Sequence, residues 1–234
     1  MLDTLYGKTF LILGGQLGVT WLSTMFLLGW IRHHYHAQAQ WVIGGLNEHG
    51  RLDLDVDWGI VKPYFWSLLV ADIIVFLILL FFGQSSLYIG IPLFTVWSVL
   101  TGFELALALV SVDENLGGKV LALTALITVA AGLIGIYSDI EFSFLRAGLF
   151  SALLLLIGFG LIRILFDIPR WIQRIVAFFG VLVFAAYLVF DFNRLSLASA
   201  NDAANSWPAA MKIAISIYLD IINLFLQLLD LLSK

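Results

Sequence analysis

The chain has no cysteine in its 234 residues, which excludes a disulfide scaffold and thiolate metal sites. Charge is nearly as scarce. Asp, Glu, Lys and Arg make up 12% of the residues, where a soluble domain carries about a quarter. A soluble core cannot hide the Leu, Ile, Val and Phe that take the hydrophobic content to 62% and the mean hydropathy to +1.01. These features exclude a water-soluble globular enzyme, a nucleic-acid binder and a disordered chain. A cleavable signal peptide is missing as well. Residues 1–8 hold Lys8 as their only basic side chain, and the apolar run behind it is too long for an h-region. The first span is therefore expected to be retained. What is present is the composition of a multi-pass integral membrane protein.

A helix needs about 20 mostly apolar residues to cross roughly 30 Å of hydrocarbon. Seven runs qualify, at about 9–30, 64–83, 87–110, 119–138, 145–166, 174–193 and 209–233. Short polar breaks separate most of them, the briefest at Gln84-Ser85-Ser86. Barrel strands would alternate over segments of about 10 residues, and these runs are continuous. The expected fold is all-α, seven transmembrane helices in a single domain over 1–234. No repeat with clear sequence identity is visible. Gly14-Gly15-Gln16-Leu17-Gly18 carries a small-xxx-small spacing that permits close helix approach.

The one sizeable polar segment is the first loop, about 31–63. His33, His34 and His36 in it read as a metal site, a pH sensor or a solvated juxtamembrane cluster. Asp53-Leu54-Asp55-Val56-Asp57 hints at a calcium loop but lacks the glycine and distal glutamate of the EF-hand spacing. Its alternation fits a short amphipathic strand equally well. Counting basic residues places Lys8, Arg146, Arg194 and Lys212 on the side of the N-terminus. Arg32, Arg51, Lys62, Lys119, Arg170, Arg174 and Lys234 fall on the other, which positive-inside counting makes cytoplasmic.

Ionisable groups within spans each need a reason, since a charge at mid-bilayer costs about 3 kcal/mol on insertion scales. The candidates are Asp72, Glu104, Arg163, Asp191 and Asp220. Arg163, near the end of the fifth span, can snorkel to the interface and reads as an anchor. Carboxylates are too short to do so. In the last span Lys212, Ser216, Asp220, Asn223, Gln227, Asp230 and Lys234 follow one another at steps of three or four, a single stripe on a helix. Such a stripe cannot face lipid. It is either glue in a bundle or the lining of a hydrophilic path, and its length favours the path. Asp191 has Arg194 three residues on, within pairing reach on a helical turn. Asp191 and Asp220 lie on consecutive, antiparallel spans and meet if they are level. Two carboxylates in a low-dielectric site cannot both ionise cheaply, so such a pair shares a proton. It is a pH-sensitive latch and also a potential calcium site.

Three segments resemble the Bax-inhibitor family (transmembrane Bax inhibitor motif proteins), in a prokaryotic member. They are Tyr187-Leu188-Val189-Phe190-Asp191-Phe192-Asn193, Ser216-Ile217-Tyr218-Leu219-Asp220-Ile221-Ile222-Asn223-Leu224-Phe225, and the acidic junction Asp139-Ile140-Glu141-Phe142-Ser143-Phe144. Residues 31–63 carry no matching motif. The resemblance implies two three-helix layers around a central C-terminal helix, in a plasma or inner membrane. It implies a pH-sensitive calcium leak channel, with Asp191 and Asp220 as sensor and gate and calcium as permeant or bound ion. Asp72 is similar to the family's acidic position in the second helix. Glu104, Arg194, Ser216, Asn223 and Gln227 are taken as supports of the pathway or latch. The family's basic cluster after the second helix, with an arginine that locks the pair, is replaced by Gly83-Gln84-Ser85-Ser86; Arg194 is the remaining candidate for the lock. The family's cytoplasmic N-terminus also runs against the charge count. The alternative is a non-transporting regulator that binds a membrane protease or cell-death machinery, so the expected partners are the bilayer and a membrane protein, with no nucleic acid. No catalytic residue is assigned. Asp220 lacks the Gly-x-Gly-Asp context of intramembrane aspartyl proteases, and Gly-x-Ser-x-Gly and His-Glu-x-x-His are absent.

Overall fold

The computed structural model describes residues 3–46, 52–83, 86–138 and 140–233. Arg51 and Lys234 of the charge count, Gln84 and Ser85 of the briefest break, and Asp139 of the acidic junction lie outside the described residues. Seven helices among the described residues are long and apolar enough to cross a membrane. They are α1 (Leu5–His36), α2 (Trp58–Ile78), α3 (Leu87–Leu109), α4 (Glu114–Tyr137), α5 (Leu145–Leu165), α6 (Arg170–Ser199) and α7 (Trp207–Leu232). A π-helical turn, Leu79–Gly83, prolongs α2. An antiparallel hairpin, β1 (Val42–Leu46) and β2 (Leu52–Val56), connects α1 to α2. The protein is an all-α, multi-pass integral membrane protein. Two compact units make up the chain, one from residues 10–114 and one from the first turn of α1 with residues 115 onward.

In the first unit the polar segment is far more ordered than a loop. α1 runs 32 residues, about 48 Å at 1.5 Å per residue, so the three histidines ride on its last turns beyond the hydrocarbon. The hairpin folds Val42 and Val56 onto Ile31, Val61 and Val110, a small apolar core outside the spans. This explains the acidic alternation. Asp55 lies on β2, opposite Ile43. Asp57 caps α2, its Oδ1 accepting from Gly59 N at 2.8 Å, and α2 therefore starts six residues before the apolar run suggested. The strand reading is correct and the calcium-loop reading is not. His34 stacks on Trp30 and Trp41, with ring centroids 4.0 and 5.4 Å away. Among the described residues no three His, Asp or Glu side chains are placed to hold a metal ion.

α1 and α3 are joined by neutral polar groups. Gln16 donates to Thr95 Oγ1 at 3.2 Å and accepts from Ser98 Oγ at 3.0 Å. Thr24 donates to the Gly102 carbonyl at 2.9 Å. A Cβ at Gly102 would lie 2.6 Å from the Thr20 carbonyl oxygen, so the two backbones touch there. The close approach expected at Gly14 and Gly18 is not made at those positions. A Cβ on either would meet nothing within 4 Å.

In the second unit α7 is the most buried element, with twelve buried residues from Ala210 to Leu229. Ser206 caps its start, accepting from Ala209 N, and Pro208 falls in the first turn, where its missing N–H costs nothing. Lys8 straps the beginning of α1 to the α6–α7 connection, donating to Asn205 Oδ1 at 2.9 Å and lying over the Trp207 ring. α4 meets α6 backbone to backbone, because a Cβ at Gly135 would sit 2.5 Å from the Val189 carbonyl oxygen.

Candidate functional site: the polar seam between α6 and α7

Ser216, Asp220, Gln227 and Asp230 of the α7 stripe meet α6, and the two helices run antiparallel; Lys212 is exposed, and Lys234 lies outside the described residues. The rungs follow in order. Arg194 Nη2 donates to Ser216 Oγ at 3.3 Å. Asp191 and Asp220 meet within hydrogen-bonding reach, carboxyl to carboxyl. Tyr187, one turn before Asp191, stands close enough to both carboxyls to interact electrostatically. Gly180 leaves room for Gln227, whose Oε1 would lie 2.6 Å from any Cβ there. At the far end Asp230 takes Arg163 at 2.8 Å and Arg170 at 3.3 Å.

Asp191 and Asp220 are buried, 4% and 7% exposed. Arg194 Nη1 pairs with Asp191 Oδ1 at 3.3 Å. Asp220 Oδ2 is buried without a hydrogen-bond partner. One guanidinium thus serves two buried carboxyls. A second negative charge would stand uncompensated, at several kcal/mol in such surroundings, unless a proton or a cation joins it. The geometry can hold one shared proton.

The remaining expected site residues divide. Ser216 joins Arg194. Gln227 lies against Gly180. Asn223 turns back on its own helix, donating to the Leu219 carbonyl at 2.8 Å, so it supports α7 rather than bridging to α6. Asp72 and Glu104 form a separate acidic pair on α2 and α3 of the first unit. Asp72 accepts from Thr101 at 3.4 Å, Glu104 lies within electrostatic range of it, and Glu104 Oε1 is buried without a partner. Arg163, read as a snorkelling anchor, is also the ion-pair partner of Asp230. Sequence reasoning missed three contributors: Tyr187, Gly180 and Asn193. The i−4 spacing of Tyr187 from Asp191 was the available signal for the first.

Residues 3–234 match the family model described as "Inhibitor of apoptosis-promoting Bax1". The chain belongs to the Bax inhibitor family. Over 168 residues it is 29% identical to an uncharacterized membrane protein of Streptococcus pyogenes serotype M1, covering 69% of this chain and 72% of that one. It is also 28% identical over 171 residues to Protein LIFEGUARD 4 of Arabidopsis thaliana, covering 70% of this chain and 65% of the relative. With Protein LIFEGUARD 3 of the same plant it shares 39% identity over 92 residues, 39% of this chain and 35% of the relative. The family match runs through residues 31–63 as well, where no motif was recognised. The Bax-inhibitor junction between α4 and α5 forms a 3-10 turn at Phe142–Phe144. Buried Asn193 holds it, donating to the Gly135 and Ile140 carbonyls at 3.1 Å and accepting from Phe142 N at 3.2 Å. Two residues before it on α6 is Asp191, so one helical turn carries both the clamp on the junction and half of the acidic pair.

Proposed function

We propose that this Bax-inhibitor-family protein is a pH-sensitive cation leak channel, with calcium as the permeant ion and Asp191 and Asp220 as the gate. The observation that carries this reading is the buried contact of two carboxyls served by one arginine. With one shared proton, Arg194 balances the remaining negative charge, the carboxyls bridge α6 to α7 and the seam is closed. Losing that proton leaves two negative charges against one positive. Repulsion then favours separation of the two helices and admits a cation, the other species able to restore neutrality. Flux therefore rises with pH. Ser216 and Gln227 offer neutral oxygens along the seam to a passing ion.

The test is calcium flux into liposomes reconstituted with purified protein across a pH series. Asp220→Asn keeps the volume and the hydrogen-bonding capacity but removes the titration. Loss of the pH response is expected. An unchanged rate and an unchanged pH dependence in this variant would end the proposal.

A second reading, a non-transporting regulator of a membrane partner, is favoured by a different observation. Ser216 and Asp230 find partners on neighbouring helices, which is what glue between helices requires. The family description, an inhibitor of another protein, points the same way. Flux indistinguishable from empty liposomes, with a partner that co-purifies, would select it.

A further inference from the structure

Three spans of the second unit end together. α5 stops at Leu165, α6 starts at Arg170 and α7 stops at Leu232. Arg163, Arg170 and Arg174 converge there on the C-terminal turn of α7. Arg163 Nη1 pairs with Asp230 at 2.8 Å. Arg170 donates to Asp230 Oδ1 at 3.3 Å and to Ser233 Oγ at 2.6 Å, and Arg174 donates to the Ser233 carbonyl at 3.2 Å. Cations favour this place, since the last carbonyls of α7 carry the negative end of its dipole.

The arginines nevertheless outnumber the carboxylates in reach. Among the described residues Asp230 and Asp167 are the acids of this end, against three arginines. All three arginines are exposed. The side chains of Arg163 and Arg170 are 43% and 41% open, and among the described residues Arg174 makes one of the five hydrogen bonds that a guanidinium can donate. Phe166 and Trp171 flank the cluster at 65% and 64% exposure, as aromatic side chains do at a membrane interface. Ile162 and Ile175 are also exposed, one turn deeper along α5 and α6 respectively, and give acyl chains an apolar wall.

We propose that Arg163, Arg170 and Arg174 form a binding site for the phosphate headgroup of an anionic phospholipid at this end of α5, α6 and α7. Guanidinium forks match phosphate oxygens bidentately, and the surplus charge selects an anionic lipid over a zwitterionic one. The site is distinct from the Asp191–Asp220 pair and independent of whether the seam conducts.

Native mass spectrometry of the full chain, with phosphatidylglycerol or phosphatidylcholine added at equal ratio, tests it. Preferential retention of phosphatidylglycerol is expected. Arg174→Gln forfeits a single hydrogen bond and should lower that retention about fivefold, at about 1 kcal/mol per interfacial arginine. Arg146→Gln, at the other end of α5, should leave it unchanged. Equal retention of the two lipids overturns the proposal, as does an Arg174→Gln protein that retains phosphatidylglycerol like wild type. Displacement of the lipid by inorganic phosphate would assign the cluster to a soluble anion and overturn it too. Should Arg174→Gln not fold, the two-lipid comparison on the wild-type protein decides alone.

Discussion

The α1–α3 seam and the α6–α7 seam solve the same problem with different chemistry. Each buries a row of polar side chains between two spans. Along α1 and α3 the row is neutral. The Gln16 amide, the Thr95, Ser98 and Thr24 hydroxyls and the Gly102 carbonyl bond one another. Along α6 and α7 the row is charged, and at its centre one arginine faces two carboxyls. A neutral row closes its hydrogen bonds and has no variable left. In the function proposed above, a centre with one arginine against two carboxyls depends on something mobile, a proton or a cation, to complete it. That proposal sets a seam that holds the fold against one that responds.

The largest effect is expected from breaking the neutral seam at its closest point. Gly102→Val would drive a Cβ to 2.6 Å from the Thr20 carbonyl oxygen, and backbone cannot step aside as a side chain can. A loss of about 3 kcal/mol or more, seen as a collapsed melting temperature or aggregation in detergent, is the expected outcome. Gly180→Ala is the contrasting case on α6. The three atoms nearest its new methyl all belong to the flexible Gln227 side chain, so a cost nearer 1 kcal/mol is expected, relieved when Gln227 is shortened to Ala.

The charged seam should instead reveal itself through pH. Flux should climb with pH in the wild type, by at most about tenfold per pH unit for one proton, and be flat in Asp220→Asn. Gln16→Leu sharpens the contrast: it strands Thr95 and Ser98 at a cost of about 1 kcal/mol while leaving the pH response of flux as it was. A pH response that moves with Gln16 rather than with Asp220 would dissolve the distinction between the seams. The smallest effect is expected at the exposed end of the charged row. Arg163→Gln should lower stability by about 0.5 kcal/mol, and a double-mutant cycle should show the loss vanish in an Asp230→Asn background.

Much of this was legible in the residues. Hydropathy located all seven spans, because a bilayer demands an uninterrupted apolar run of known length. The three-and-four spacing of the α7 stripe identified the face that α7 turns to protein. Arg194 was assigned to Asp191 because i,i+3 neighbours share a helical face. Periodicity names a face but not its partner, and the misreadings follow from that. Gly14 and Gly18 offered a contact site, yet the backbone approach falls at Gly102, in a Ser98-Gly102-Ala106 spacing that was not singled out. Arg163 gave no hint of its partner Asp230, 67 positions away. Asn193 gave no signal, since clamping a turn on another pair of helices depends on geometry that one strand of text does not hold. The 31–63 segment misled in the opposite direction. Its polar composition hid a hairpin whose core needs only a few apolar side chains from α1, α2 and α3.

The sequence by itself determined that this chain crosses a membrane seven times without disulfides, and that its few in-span charges need partners. Composition suffices for both, because hydrocarbon excludes unpaired backbone and bare charge alike. Only the tertiary structure decided which partners. It set Asp72 within electrostatic range of Glu104, a pairing no spacing suggested, and brought Asp191 and Asp220 level, the condition that the sequence left open. Electrostatic interaction falls off with distance through space, and only folding converts positions 191 and 220 into neighbours.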